Sequence, residues 1–326
     1  MDKKLISVKV DQIVEEANGI RAFTVSRVDG QPLAPYHPGA HVDVSLPGAP
    51  TRQYSLCGDP RETKSYSFAV KLEASSRGGS KALHGEVAVG TELTLSQPRS
   101  LFVLQEHASQ HCLFAAGIGI TPLLSMAYRL IELKAQFELH YFIRSAQEAA
   151  FLPLLQSAPF APHLRLHVGV PRMDIGACLA DVTQNLPKDA HVYTCGPEPF
   201  MDMVITAAEK ILPDEQIHLE RFAVATAAAD AQDNASLPNT FEVYLAKLGK
   251  TVLVPDGVSI VDALATIDVE IDISCGEGIC GTCIVDVLEG DIDHRDHCLS
   301  KAERAKGDVI CCCVSRATSA RLVLNL

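Results

Sequence analysis

Apolar and polar residues alternate along the first hundred positions. ISVKVDQI, RAFTVSRV, HVDVSLP, RQYSLC, YSFAVKLE and ELTLSQ each read as a short strand, with Pro or Gly between them. Six such segments without a long amphipathic helix predict a small antiparallel barrel over residues 1–104. The stretch SKALHGEV after Gly79 predicts one helical turn. From His111 the pattern changes. CLFAAG is a continuous apolar run of the kind found in buried parallel strands, and Leu123, Leu124, Met126, Ala127, Leu130 and Ile131 then recur at helical spacing. FELHYFIR, LRLHVGV, HVYTC and IHLERF follow as strands separated by helical segments, which predicts a doubly wound parallel sheet over residues 105–225.

The stretch AVATAAADAQDNASLPN is rich in small and polar residues and has no apolar period, so residues 226–239 read as a linker. The remainder, 240–326, forms a third unit. FEVYLAKLGKTVLVPDG predicts a hairpin turning at Gly249, and Ser259 with Asp262 three residues later predicts a capped short helix. VICCCVSRA and ARLVLNL close the chain.

Between these last elements lies C-G-E-G-I-C-G-T-C, residues 275–283. Three cysteines at C-x₄-C-x₂-C with another far downstream is the plant-type spacing for a [2Fe–2S] cluster. Three thiolates must converge on a small inorganic core, so the backbone between them has to wrap tightly, which the intervening glycines allow. Zinc sites usually bring paired short Cys/His spacings, and no second C-x₂-C follows here. Cys275, Cys280 and Cys283 are therefore three candidate ligands. The fourth is open: on a continuous strand Cys311 and Cys313 would face one way and Cys312 the other, and Cys298 is a further contender.

A one-electron carrier implies a donor and an acceptor, and two sets of residues suit a donor pair. Arg52, Gln53, Tyr54 and Ser55 place a permanent cation, an aromatic face and a hydroxyl on one strand, as a flavin phosphate and ring require. Arg77-Gly78-Gly79-Ser80 precedes the helical turn and offers free N–H groups to a phosphate. Gly117, Gly119, Thr121 and Pro122 form a glycine turn between strand and helix, the arrangement that brings a dinucleotide pyrophosphate to a helix N-terminus. The pattern is G-x-G-x-T-P rather than the full G-x-G-x-x-G. Cys195, Gly196 and Pro197 end a later strand, at the same sheet edge as Gly117.

Charge narrows the class further. A formal net charge of −12 argues against a nucleic-acid partner. No Lys or Arg occurs between Thr251 and His294, a span with ten acidic residues that suits docking to a basic partner. The chain start lacks a signal-peptide core and the longest uncharged run, Cys112 to Tyr128, is too short and too interrupted to span a membrane, so a soluble cytoplasmic protein is expected. Eleven cysteines then read as reduced thiols.

RQYSL, RGGS, AAGIGITP, YTCGPE, SCGEGICGTC, DHRD and CVSRA together resemble, in order and over essentially the whole chain, the phthalate dioxygenase reductase family. The resemblance implies an FMN-binding β-barrel domain, an NAD-binding α/β domain and a C-terminal β-grasp ferredoxin domain. It implies Arg52, Gln53, Tyr54 and Ser55 as the flavin strand, with Ser55 near the reactive N5, Gly79 and Ser80 as phosphate contacts, and Val70 and Lys71 along the ring edge. Gly117, Gly119, Thr121 and Pro122 become the pyrophosphate turn, Cys195, Gly196 and Pro197 the nicotinamide side, and Phe222 the aromatic that covers the flavin. CVSRA makes Cys313 the fourth cluster ligand, although three consecutive cysteines depart from the family pattern. NADH is the implied donor; Arg144 is a cation that would tolerate a 2′-phosphate. The implied activity is that of an NADH-dependent oxidoreductase, monomeric when free, passing electrons through FMN and the cluster to a Rieske-type oxygenase component. A stand-alone NADH:acceptor reductase and a redox-sensing module built on residues 311–313 are the competing expectations.

Overall fold

The computed structural model describes residues 5–73, 78–222, 240–299 and 301–326. Arg77 and the expected linker 226–239 lie outside the described residues. The chain divides into two compact units, Met1–Glu220 and Arg221–Leu326. The expected boundary at residue 104 falls inside the first of them.

The first unit opens with six strands: β1 (Ile6–Ala17), β2 (Ile20–Arg27), β3 (His41–Ser45), β4 (Arg52–Ser55), β5 (Tyr66–Lys71) and β6 (Glu92–Leu95). They pair antiparallel in the order β4-β3-β6-β1-β2-β5. The edges β4 and β5 approach through a bridge between Leu56 and Phe68, so the sheet curls into a barrel shape without a closed ladder. Alternation drives this. Ile6, Val8 and Val10 point inward from β1 while Ser7 and Lys9 are exposed. Val8, Phe23, Val25, Phe68 and Leu93 fill the interior, with Phe23 and Phe68 stacked at 5.5 Å. The first strand is longer than expected because two bulges, at Val10/Gln12 and Glu15/Ala17, let it bend with its partner.

The second sheet is wholly parallel: β7 (His111–Ala116), β8 (Phe137–Ile143), β9 (Leu164–Val168), β10 (His191–Cys195) and β11 (Ile217–Glu220), in the order β11-β10-β7-β8-β9. Every residue of β7 is buried, as its unbroken apolar run predicts. The helix Ile120–Leu133 covers one face, and Arg172–Thr183 with Glu198–Ala208 cover the other. The chain winds outward from β7 through β8 to β9, then crosses back to β10. That places the topological switch between β7 and β10, where ligands of such sheets bind beyond the carboxyl ends.

One core joins the two sheets. Ile20, Ala22, Cys57 and Ala69 of the first lie in the same apolar cluster as Phe102, Leu123, Met126 and Tyr193. Gly39 N–H donates to Ser125 Oγ at 2.8 Å across that joint.

The second unit carries β12 (Phe241–Leu245), β13 (Lys250–Val254), β14 (Ile284–Glu289), β15 (Ile292–Asp293), β16 (Val309–Cys311), β17 (Arg316–Ala317) and β18 (Arg321–Leu324). The main sheet runs β13-β12-β18-β14-β16, and β15 pairs with β17 separately. The hairpin turns at Gly249, whose φ of +64° suits glycine. Ser259 caps the helix Ile260–Ala265 by accepting from Asp262 N–H at 3.0 Å. That helix packs into the sheet core, as a β-grasp arrangement requires.

Candidate functional site

The flavin-type residues converge on strand β4 and the short helix Gly79–Gly85. Arg52 and Gly79, far apart in sequence, meet so closely that a Cβ on Gly79 would lie 2.5 Å from Arg52 Cγ. A side chain at Gly79 would have to push the arginine stem aside. A groove beside them is lined by Val44, Leu46, Pro50, Arg52, Tyr54 and Gly79, with apolar walls and one cation. Tyr54 has one ring face against Phe68, 5.7 Å away and nearly parallel, and burial pushes its phenol up to about 12. Gln53 donates to Asp43 Oδ1 at 3.1 Å, beside the Arg99–Asp43 ion pair, which fixes its amide within the sheet. Ser80 Oγ accepts from Glu73 N–H at 3.2 Å. Val70 is buried with its carbonyl 2.8 Å from His84 Nε2, and Lys71 is half-exposed beside Glu73.

The nucleotide-type residues sit at the switch point. Gly117 and Gly119 form a short 3₁₀ turn leaving β7, and Thr121 and Pro122 lie in the first turn of the following helix. A Cβ on Gly119 would lie 2.1 Å from the Cys195 carbonyl oxygen, and one on Gly196 would lie 2.9 Å from Ala116 Cβ. The ends of β7 and β10 are therefore in backbone contact, and glycine is required for it. Pro197 begins the turn into the helix Glu198–Ala208. Arg144 is exposed just past β8, at the same carboxyl edge.

Ser55 and Cys195 come together through a residue that sequence reasoning missed. Glu220, the last residue of β11, pairs in register with Cys195. Its Oε2 accepts from Ser55 Oγ at 3.0 Å, and its side chain is only 14% exposed. Burial raises its carboxyl to about 8, against a lowering by the Ser55 hydrogen bond, so it carries a proton at neutral pH. The neighbouring Cys195 thiol is pushed well up by burial and by Glu220. His41, opposite Ser55 in the sheet, approaches Glu220 Oε1 at 3.8 Å, and burial followed by Arg99 holds it down at about 4. Glu220 and His41 thus face each other uncharged. The signal for Glu220 was its place at a strand end beside Cys195, which appears only once the strand order is known. Phe222, two residues on, is 42% exposed at the start of the second unit.

The cysteine loop lies in the second unit. The Cys275 thiol lies near enough to those of Cys280 and Cys313, and Cys313 to that of Cys283, for each to perturb the other's charge. Cys283, Cys311 and Cys313 have sulfurs within 4.8 Å of one another. Glu277 and Ile279 N–H groups already point at Cys275 Sγ, at 3.3 and 3.5 Å. Converging soft thiols with amide donors aimed at them suit an iron–sulfur core. Residues 311–313 do not lie on one continuous strand, yet Cys311 and Cys313 still share a side. Strand β16 stops at Cys311 and a turn follows, closed by Ser315 N–H to Cys311 carbonyl, and this turn brings Cys313 round to the side of Cys311. Cys312 is buried in the sheet core.

Two other motifs hold the loop. Asp296 of DHRD is buried, and although burial works against its charge, Leu299 N–H, Arg304, Ser315 and His294 outweigh it and hold its carboxyl below the usual range. Gly278 packs on it: a Cβ there would lie 2.5 Å from Val314 Cγ2 and 3.0 Å from Asp296 Cα. Arg316 of CVSRA donates to the carbonyls of Val258 and Pro255 at 2.6 and 2.9 Å and lies over the Phe241 ring.

The 2Fe-2S iron-sulfur cluster binding domain family matches residues 243–318. A vanillate O-demethylase oxidoreductase of Pseudomonas sp. (strain HR199 / DSM 7063) is 40% identical over 99% of this chain and 100% of its own length. The solved structure of phthalate dioxygenase reductase, a modular structure for electron transfer from pyridine nucleotides to [2Fe–2S], aligns at a TM-score of 0.70 with 33% identity. That alignment covers 99% of this chain and 98% of the other. The chain belongs to the phthalate dioxygenase reductase family. An intact type IV self-sufficient cytochrome P450 monooxygenase also aligns, at a TM-score of 0.87 and 35% identity, with 99% of this chain matching 41% of that one. As a member of the phthalate dioxygenase reductase family, the protein is an NADH-dependent oxidoreductase whose cofactors are FMN and a [2Fe–2S] cluster. Among the described residues no helix is long and apolar enough to cross a membrane.

Proposed function

We propose that this chain is the reductase component of a Rieske-type oxygenase, monomeric when free and working in the cytoplasm. The observation that carries the electron path is the Ser55–Glu220 contact beside Cys195, at the joint between the flavin-type sheet and the nucleotide-type sheet. When bound, FMN would supply two-electron acceptance from NADH and one-electron release, and the [2Fe–2S] centre one-electron transfer.

The protein's part is to hold and orient. Arg52 with Gly79 and Ser80 would hold the flavin phosphate, and Tyr54 would pack against the ring, with Val70 and Lys71 along its edge. Ser55 would hydrogen-bond at N5, kept in place by Glu220. Gly117, Gly119, Thr121 and Pro122 would take the pyrophosphate. Cys195, Gly196 and Pro197 would line the nicotinamide, Phe222 would cover the flavin between turnovers, and Arg144 would bear on cofactor choice at the ribose. Cys275, Cys280, Cys283 and Cys313 would ligate iron, Cys313 lying with its sulfur within 4.8 Å of that of Cys283. The name of the vanillate O-demethylase relative supports an oxygenase acceptor, and eleven unpaired cysteines support a reducing compartment.

A second reading has its own support. The same architecture occurs within a self-sufficient cytochrome P450, so a haem monooxygenase is the competing acceptor. Anaerobic NADH titration with absorbance and electron paramagnetic resonance tests the path: flavin bands bleach and a rhombic [2Fe–2S] signal grows. Absence of bleaching sinks the reductase function. Electron delivery to a purified Rieske oxygenase but not to a P450 haem domain decides the partner, and the reverse result overturns the Rieske assignment.

A further inference from the structure

Cys311 is a fifth thiol beside the four assigned ligands, and the electron path above does not use it. Its side chain is fully buried, with Sγ 3.4 Å from Cys283 Sγ and 3.8 Å from Cys313 Sγ. These three sulfurs lie within 4.8 Å of one another. With Cys275, Cys280, Cys283 and Cys313 as the ligands, Cys311 is left beside two of them.

A hydrogen bond at either of these sulfur contacts needs one proton. Metal-bound cysteines are thiolates and can only accept. With iron on Cys283 and Cys313, the proton must come from Cys311. We infer that Cys311 remains a protonated thiol that donates S–H to the ligating sulfur of Cys283, with Cys313 Sγ as a second acceptor. In that position it raises the reduction potential of the cluster.

The direction follows from charge. A reduced cluster carries one more negative charge than an oxidised one, and part of it resides on the ligand sulfurs. A donor aimed at such a sulfur stabilises the reduced form more, and hydrogen bonds to the sulfurs are among the factors that set these potentials. The contact is buried, so water does not compete for it and the low local dielectric strengthens it. Cys312 lies in the apolar core of the sheet, and its thiol meets the Ile310 carbonyl at 3.9 Å. It is the natural control.

This inference rests on the four-thiolate reading, and the test separates the two. The full chain would be reconstituted with iron and sulfide as wild type, Cys311→Val, Cys311→Ala, Cys311→Ser, Cys312→Ala and Cys313→Ala. Iron and sulfide content, electron paramagnetic resonance and potentiometric titration are then read. Cys311→Val keeps the side-chain volume and removes the donor, which covers the case in which the alanine variant folds poorly. The expected result is a full [2Fe–2S] complement in Cys311→Val and Cys311→Ala, with the cluster midpoint shifted negative and the flavin midpoint unmoved. Cys311→Ser, which retains a donor, shifts less, and Cys312→Ala does not shift. Loss of the cluster in both Cys311→Val and Cys311→Ala, with retention in Cys313→Ala, would make Cys311 the ligand and overturn both inference and ligand set. A complete cluster with an unmoved or more positive midpoint in Cys311→Val overturns the inference alone.

Discussion

Glu220 shows how a single carboxyl is tuned by its surroundings. It lies at the meeting of two sheets, accepts from Ser55, and titrates near 8 because burial penalises its charge. The sign for stability follows. The folded chain binds this proton more tightly than the unfolded chain, so the contribution is fully present below the ordinary carboxylate range and is lost as pH rises through about 8. Glu220→Gln removes the titration but keeps an acceptor for Ser55. In flavin-free protein, the unfolding midpoint of wild type relative to Glu220→Gln should fall from about pH 5 to about pH 9, the interval spanning the two carboxyl pKa values. A difference that stays flat over that range means Glu220 is charged in the folded chain. Gly119 makes the steric counterpart. Alanine there would place a Cβ 2.1 Å from the Cys195 carbonyl, forcing β7 and β10 apart at their ends. Overpacking of this kind costs about 1–3 kcal/mol, so KM for NADH should rise roughly tenfold or more while bound FMN is retained. An unchanged KM would mean the turn does not carry the nucleotide.

At the scale of elements, the ferredoxin unit depends on side chains that tie loops to one another. Arg316 closes the turn after Cys313 by capping two carbonyls of the connection that follows β13, while its guanidinium rests on Phe241. Methionine would keep most of the stem and leave those carbonyls without a donor. Loss of hydrogen bonds to a buried charged group costs about 1.5–3 kcal/mol each. Arg316→Met should therefore unfold the second unit at markedly lower denaturant and speed iron release to a chelator, with the flavin-monitored transition of the first unit unchanged. Equal shifts in both transitions would mean that the two units unfold together. These ties also explain what the sequence shows and what it conceals. The cysteine spacing and the glycine turn are local, so both were legible, as were the strand runs and the Ser259 cap. The Ser55–Glu220 bond spans 165 positions and depends on β11 pairing beside β10, which no spacing announces. The turn at 311–313 was not legible, because a turn starting at Cys312 leaves no apolar period to read.

For the whole molecule, charge distribution bears most directly on partnership. The formal net charge is −12, and Asp256, Asp262, Asp268, Glu270, Asp272, Asp286, Glu289 and Asp291 are all exposed on the unit that holds the cysteine loop. The stretch from Thr251 to His294 contains no Lys or Arg to offset them. A surface of one sign raises the encounter rate with an oppositely charged partner, and screening over a Debye length of about 10 Å at 0.1 M salt removes that gain. Hydride transfer to flavin at saturating NADH takes place inside a formed complex and has no encounter to screen. The second-order rate of electron delivery from the reduced chain to an oxygenase should therefore fall steeply with ionic strength, roughly an order of magnitude or more between low and physiological salt. The first-order rate of flavin reduction should stay nearly constant over the same range. Stopped-flow absorbance at the flavin and at the acceptor separates the two steps in one experiment. If delivery is indifferent to salt, the acidic face is a solvated surface and docking rests on apolar contact. If delivery accelerates with salt, the acceptor is itself acidic and the two proteins meet against their mutual repulsion.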